Sequence, residues 1–152
     1  MKSTQAKASK AIKAELKSTF PTIKFSVTSE SFAGGNSVRI SWTDGPQEKD
    51  VKSITDKYQY GSFNGMEDIY EYNNKNADLP QAKYVQTSRH ISAQNEAEAI
   101  DKINEDFGLN IQYIIEKSTS SEFIRIVNDD YLDNMGAWTS QFVYRQMKEM
   151  GY

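Results

Sequence analysis

Between Phe20 and Ile23 the spacing of apolar side chains changes from four residues to two, and no single regular element carries both patterns. Ala8, Ile12, Leu16 and Phe20 recur at steps of four and make one stripe of an α-helix over residues 5–19. Pro21 disfavours helical geometry at Phe20 and closes that element. Beyond it Ile23, Phe25 and Val27 alternate with Lys24, Ser26 and Thr28, the period of a half-buried strand. Ala33-Gly34-Gly35-Asn36-Ser37 supplies a turn, because Gly and Asn accept positive φ cheaply. Val38, Ile40 and Trp42 then alternate with Arg39, Ser41 and Thr43. Residues 22–43 are therefore expected to form a β-hairpin.

Similar switches of period recur downstream. Thr43-Asp44-Gly45-Pro46 signals a helix start, with Val51, Ile54 and Tyr58 at i, i+3 and i+7. The segment from Tyr58 to Met66 holds two glycines and is expected to be irregular. Ile69, Tyr70 and Tyr72 suggest a short strand, and Asn73–Pro80 reads as the most flexible loop. A second strand follows, with Tyr84, Gln86, Ser88 and His90 on one side and Val85, Thr87, Arg89 and Ile91 on the other. Ser92 can cap a helix whose apolar side is Ala97, Ile100, Ile103 and Phe107, closed by Gly108. Ile111–Ile115 and Phe123–Val127 are expected to pair as a hairpin across Ser118-Thr119-Ser120-Ser121. Tyr131, Met135, Trp138 and Phe142 space a last helix starting near Asp129, weakened locally by Gly136. The expected fold class is α+β: antiparallel hairpins packed against helices in two layers, in the order α-ββ-α-ββ-α-ββ-α. A threefold ββα repeat is disfavoured, since Asp50–Tyr58 and Ala99–Phe107 share only an apolar rhythm.

With 152 residues the chain is long enough for one ordinary core and is read as a single domain, residues 1–152. No apolar run approaches the ~20 residues of a membrane span, so no membrane partner is expected. Met1–Lys7 leads into no apolar stretch of the secretory kind, so a cytoplasmic location is expected. The chain has no cysteine, which excludes disulfides, thiolate metal sites and cysteine nucleophiles. Its single histidine, His90, excludes any site that needs two imidazoles from one chain. Nothing in the sequence fixes an oligomeric state.

Three clusters invite a chemical reading, and each has a plainer one. Gly34-Gly35 lacks the Lys-Ser/Thr of a phosphate-binding loop and precedes a strand, so a hairpin turn is preferred. Asp129, Asp130 and Asp133 crowd enough carboxylate for a hard cation, but acids beside a helix start are first of all caps. Glu67, Asp68 and Glu71 raise the same question, with Glu67 and Asp68 on opposite faces of any strand. His90 shares a face with Ser88, yet no carboxylate nearby completes a triad. No catalytic residue, cofactor site or metal site is assigned, and the protein is expected not to be an enzyme.

Two features point instead to binding. The net charge of −3 hides an asymmetry: residues 1–24 carry six lysines against Glu15 alone, a local +5, leaving −8 for the remainder. Lys7, Lys10, Lys13, Lys17 and Lys24 can neutralise phosphates of DNA or RNA, or form a solvated helix back. Tyr58, Tyr60, Phe63, Tyr70 and Tyr72, with Tyr84 beyond them, concentrate aromatics around glycine-bearing loops. Part of that set belongs to the core, and the rest is suited to contact a macromolecular partner.

The stretch from Ala8 to Ile91 resembles a known family. Phe25-Ser26-Val27, Gly34-Gly35-Asn36-Ser37-Val38, Trp42-Thr43-Asp44-Gly45-Pro46, Tyr58-Gln59-Tyr60-Gly61 and Phe63-Asn64-Gly65-Met66 are similar to the large polyvalent-protein-associated domain numbered twenty-nine. Residues 8–91 form the family-like part, and 93–152 a helix–hairpin–helix extension. The family occurs in phages, prophages and conjugative elements, and it supplies no catalytic residues to carry over. The resemblance implies a role in a bacterial host cell, protecting invading DNA by blocking restriction or CRISPR effectors, or handling that DNA. The leading expectation is a small non-enzymatic inhibitor that binds a host defence protein or its nucleic-acid complex. Direct DNA or RNA binding through the lysine helix is the alternative, and a metal-dependent nuclease using Asp129, Asp130 and Asp133 is the third.

Overall fold

A computed structural model describes residues 3–152; Lys2, counted in the basic arm, lies outside the described residues. The chain divides into two compact units, Met1–His90 and Ile91–Tyr152. The described residues are mixed α and β, with four α-helices and short strands in small sheets.

In the first unit, α1 (Thr4–Thr19) buries Gln5, Ala8, Ile12 and Leu16, the stripe that four-residue spacing requires. Strands β1 (Ser26–Phe32) and β2 (Gly35–Thr43) pair antiparallel across a tight turn, with Phe32 opposite Gly35 and Gly34 at φ 99°. Helix α2 spans Glu48–Thr55 and continues into a 3-10 turn, Asp56–Tyr58. It starts later than expected because Asp44 and Gly45 take positive φ (57° and 67°), left-handed geometry that a first helical turn excludes. The Trp42 indole donates to the Pro46 carbonyl at 3.0 Å and fixes this corner.

The second strand pair differs from expectation. Strand β3 (Ser62–Asn64) pairs antiparallel with β4 (Ile69–Glu71) in a small hairpin of its own. Strand β5 (Tyr84–His90) instead joins β2 in parallel, completing the sheet order β1-β2-β5. A parallel partner needs a long crossover, and residues 44–83 supply it. Val38, Ile40 and Trp42 face inward and pack with Ile12, Leu16 and Val51 in one core, so α1 and α2 cover the same face of the sheet. The Asn73–Pro80 loop is tied down: the buried Gln81 side chain donates to the carbonyls of Lys57 (2.7 Å) and Asn74 (2.9 Å) and accepts from the Asn76 amide (2.8 Å).

The second unit holds α3 (Ala93–Phe107), hairpin β6 (Tyr113–Lys117) and β7 (Glu122–Ile126), the two-residue pair β8 (Tyr131–Leu132) and β9 (Ala137–Trp138), and α4 (Thr139–Glu149). Ser92 caps α3 by accepting from the Asn95 amide, and Gly108 ends it in the left-handed conformation, both as the sequence reads. Ile100, Ile103, Ile111, Phe142 and Val143 form a separate core. The last helix begins ten residues later than its spacing suggests. Gly136 sits at φ 62° after a 3-10 turn, which breaks the Tyr131–Phe142 periodicity and leaves only Phe142 of that set on α4. Asp129 still acts as a cap, but from a distance: its two carboxylate oxygens accept from the Ser140 amide and hydroxyl, each at 2.9 Å.

One polar cluster locks α1 to the 3-10 turn. The Tyr58 hydroxyl donates to Glu15 at 2.5 Å, and Lys57 bonds the other Glu15 oxygen at 2.6 Å. Burial raises the Glu15 carboxyl, but the Lys57 and Tyr58 contacts outweigh it and leave the group below its ordinary range. Burial, then the bond to Glu15 and its charge, push Tyr58 up to about 12. An unfolded tyrosine ionises near 10, so stability from Tyr58 is complete below that pH and disappears as pH rises through about 12. Urea midpoints should therefore fall between roughly pH 9 and 12 in the parent, with a shallower fall in Tyr58→Phe. An equally steep fall in the variant would remove Tyr58 from the account. All other side chains are common to the two proteins and cancel in the comparison.

Candidate partner-binding surface

The β3–β4 hairpin is built from local bonds before it docks. Asn64 accepts from the Met66 amide at 3.0 Å and donates to Glu71 at 2.8 Å, and Asp68 takes φ 55° to close the turn. Glu67 and Asp68 thus lie on a turn rather than on a strand, and Glu71 is engaged with Asn64. Gly61 lets the hairpin close: a Cβ there would overlap the Glu71 carbonyl oxygen and the Tyr70 ring.

Docking gathers tyrosines from separate elements. Tyr60 stacks on Tyr72 with centroids 5.5 Å apart and planes 10° from parallel. Tyr70 meets Tyr72 edge-on at 5.2 Å and Tyr84 at 5.6 Å, and Tyr84 stacks on Phe32 at 6.2 Å. The Tyr70 hydroxyl donates to the Lys83 carbonyl at 2.5 Å. Burial first, then the neighbouring tyrosines Tyr60, Tyr84 and Tyr72, push Tyr70 up to about 12; burial raises Tyr60 as well. Two cations cover the cluster, Lys75 at 4.9 Å from the Tyr72 centroid and Lys83 at 5.0 Å from that of Tyr70.

The aromatics of the sequence reading therefore divide. Tyr58 is 4% exposed and belongs to the core, out of reach of a partner. Tyr60 and Tyr70 are half-buried supports. Phe63 and Tyr72 are exposed, at 59% and 56%, beside Met66 at 98% and Ile69 at 48%. The register places Phe63 on the same face as Tyr70 and Tyr72, and Ile69 on the other, so Phe63 and Tyr72 make the candidate contact surface. A groove of about 440 Å³ opens beside Tyr60 and Tyr72 and is lined also by Thr4, Lys75 and Leu79. Tyr84, noted with the aromatic run, joins the cluster, and Phe32, Lys75 and Lys83 complete it without being singled out by the sequence.

Lys7, Lys10, Lys13 and Lys17 are exposed along α1, turned away from its buried stripe, and Lys24 is exposed in the loop after it. Among the described residues none of these five makes an ion pair, whereas Glu15, on another flank of α1, pairs with Lys57. Ser88 and His90 approach to 3.5 Å on the exposed side of β5. Asp129, Asp130 and Asp133 do not share one helical turn, because Asp129 is spent on the α4 cap and Asp133 opens a 3-10 turn. Among the described residues no group of three or more acidic or histidine side chains converges as a metal site. No helix of the described residues is long and apolar enough to cross a membrane.

The model of the large polyvalent protein associated domain 29 matches residues 3–100, about two thirds of the chain. The chain belongs to that family. Polyvalent proteins of phages and mobile elements are its setting. The match takes in the lysine helix, the whole β1-β2-β5 sheet and the docked tyrosine hairpin, and it ends within α3. No curated protein and no solved structure matches the chain.

If the hairpin docks through Gly61, Gly61→Ala should cost on the order of 1–3 kcal/mol by overpacking and should flatten the near-UV circular dichroism of the tyrosines. Gly65→Ala, where a Cβ meets nothing within 4 Å, is the control and should leave both unchanged. Matching behaviour of the two variants would refute the docking role.

Proposed function

We propose that this domain is a non-enzymatic accessory protein of a phage or mobile element that inhibits a host defence system. It binds a restriction or CRISPR effector, alone or with its nucleic acid, and blocks it sterically. The observation that carries this reading is the exposed pair Phe63 and Tyr72, which the register places on one face of a hairpin supported by stacked tyrosines. Aromatics fixed by stacking lose little freedom when a partner covers them, which is why such residues dominate interface energetics. Charge supports the choice of partner. Beyond Lys24 the chain carries a local −8, a field that attracts the basic channels in which effectors hold DNA or RNA and that speeds encounter.

The side chains best suited to chemistry give catalysis little support. Asp129 caps a helix, and among the described residues His90 has no carboxylate to orient it. A second reading, direct DNA or RNA binding, draws on the five exposed and unpaired lysines around α1.

The inhibitor reading is tested in a bacterium that carries a restriction or CRISPR system and is challenged with a sensitive phage. Expression of the domain should raise plating efficiency at least about tenfold, the effect of losing ~1.4 kcal/mol of productive effector binding. Phe63→Ala combined with Tyr72→Ala should abolish the rise while leaving the melting temperature within a few degrees. Protection by the double variant equal to the parent's would place the contact elsewhere, and absence of protection across defence systems would reject the reading.

A further inference from the structure

The β1-β2-β5 sheet has a second face, opposite the one that α1 and α2 cover. Side chains alternate along each strand, so the register places Ser26, Thr28, Glu30 and Phe32 of β1 on that face. Ser37, Arg39, Ser41 and Thr43 of β2 join them, with Tyr84, Gln86, Ser88 and His90 of β5. The hairpin docks at one end, where Tyr70 meets Tyr84 and Ser37 is buried and donates to Glu30. The other end is open and polar. Two adjoining grooves of about 590 and 560 Å³ meet at this end and share Ser41 and His90; the first wraps around the end of the sheet, reaching Phe25 and Trp42 of the covered side. The first is walled by Lys13 and Lys24, and the second holds Arg39. Neither is lined by a carboxylate, although the chain as a whole is acidic. Glu30 is the one acid on this face, and Arg39 pairs with it at 2.8 Å.

We propose that this open sheet face binds a single-stranded nucleic acid, with phosphates at the Lys13–Lys24–His90 end and a base against the Phe32–Tyr84 end. Lys13 and Lys24 make no ion pair and are free to replace counterions on a phosphate backbone. Serine and threonine hydroxyls between them offer short hydrogen-bonding groups that suit phosphate and sugar oxygens. From Tyr84 to His90 the strand rises roughly 20 Å, room for a few extended nucleotides. Phe32 is 45% exposed and already stacked on Tyr84, so it presents a ring to a base only if that base is unstacked. That requirement selects a single strand over a duplex. The inference rests on the nucleic-acid reading and narrows it from the back of α1 to one sheet face; the hairpin contact to a protein is independent of it.

The test is fluorescence anisotropy with a labelled oligothymidylate of about 15 nucleotides at roughly 50 mM salt. The parent should bind this probe at least about tenfold more tightly than a duplex of equal length. Lys13→Ala with Lys24→Ala should weaken binding about tenfold and reduce the salt slope by about 1.4, the loss of two phosphate contacts. Lys10→Ala with Lys17→Ala removes the same charge from α1 away from the grooves and should change affinity by less than about twofold. Phe32→Ala should weaken binding at least about fivefold without lowering the melting temperature by more than a few degrees. Equal losses in the two lysine pairs would overturn the sheet-face site while leaving nucleic-acid binding itself standing. No binding by the parent, or equal binding of duplex, would overturn the site and, in the first case, the nucleic-acid reading with it.

Discussion

Burial of the Val38–Ile40–Trp42 side of β2 beneath α1 and α2 decides the rest of the first unit, because both helices are spent on one face of the sheet. Ile12, Leu16, Val38, Ile40 and Val51 are at most 1% exposed, and each such aliphatic side chain contributes about 1.5–3 kcal/mol on leaving water. The alternation of a strand then forces Arg39, Ser41 and Thr43 outward. Where β1 and β5 add their own outward rows, the result is a face that must be polar or be covered. The chain does both: it docks a tyrosine hairpin at one end and leaves hydroxyls, Arg39 and His90 at the other. Both candidate binding surfaces thus follow from the one-sided placement of the helices.

The sequence discloses faces better than partners. Four-residue spacing located α1 and its buried stripe, and two-residue spacing identified the inner row of β2, although of Ile23, Phe25 and Val27 only Val27 lies on β1. The Ser92 and Gly108 ends of α3 were equally legible, since a cap depends on atoms three or four residues away. Alternation in Tyr84–His90 revealed a strand but could not say that it joins β2 in parallel across residues 44–83. Pairing over that distance depends on loop closure and on the core formed at its ends, neither of which is written locally. The last helix failed for a different reason. Tyr131, Met135 and Trp138 fit a helical period, but Gly136 adopts left-handed geometry and turns the chain into a small β pair.

The candidate binding residues divide in the same way. Aromatic clustering between Tyr58 and Tyr84 marked the stretch in which the tyrosine hairpin docks, yet composition does not distinguish Tyr58, whose hydroxyl is locked on Glu15 in the core, from Tyr72, which lies exposed. Lys7, Lys10, Lys13 and Lys17 were legible because a helix separates charged from apolar positions by its period alone, whereas Lys24 lies in the loop beyond it. Their division into those beside a groove, Lys13 and Lys24, and those away from it depends on the path of the chain after Pro21. Membership of the large polyvalent protein associated domain 29 family covers both surfaces and places the chain among proteins of phages and mobile elements.

That one face of the β1-β2-β5 sheet is open to water is the claim on which the sheet-face site rests, and thiol labelling tests it most directly. The chain contains no cysteine, so single replacements report one site each. Thr28→Cys and Gln86→Cys, on the open face, should react with a maleimide at close to the rate of a free thiol. Ile40→Cys, 1% exposed at the parent position, should react only as fast as the protein unfolds. Protection of Thr28→Cys and Gln86→Cys in the monomeric chain, equal to that of Ile40→Cys, would contradict the account.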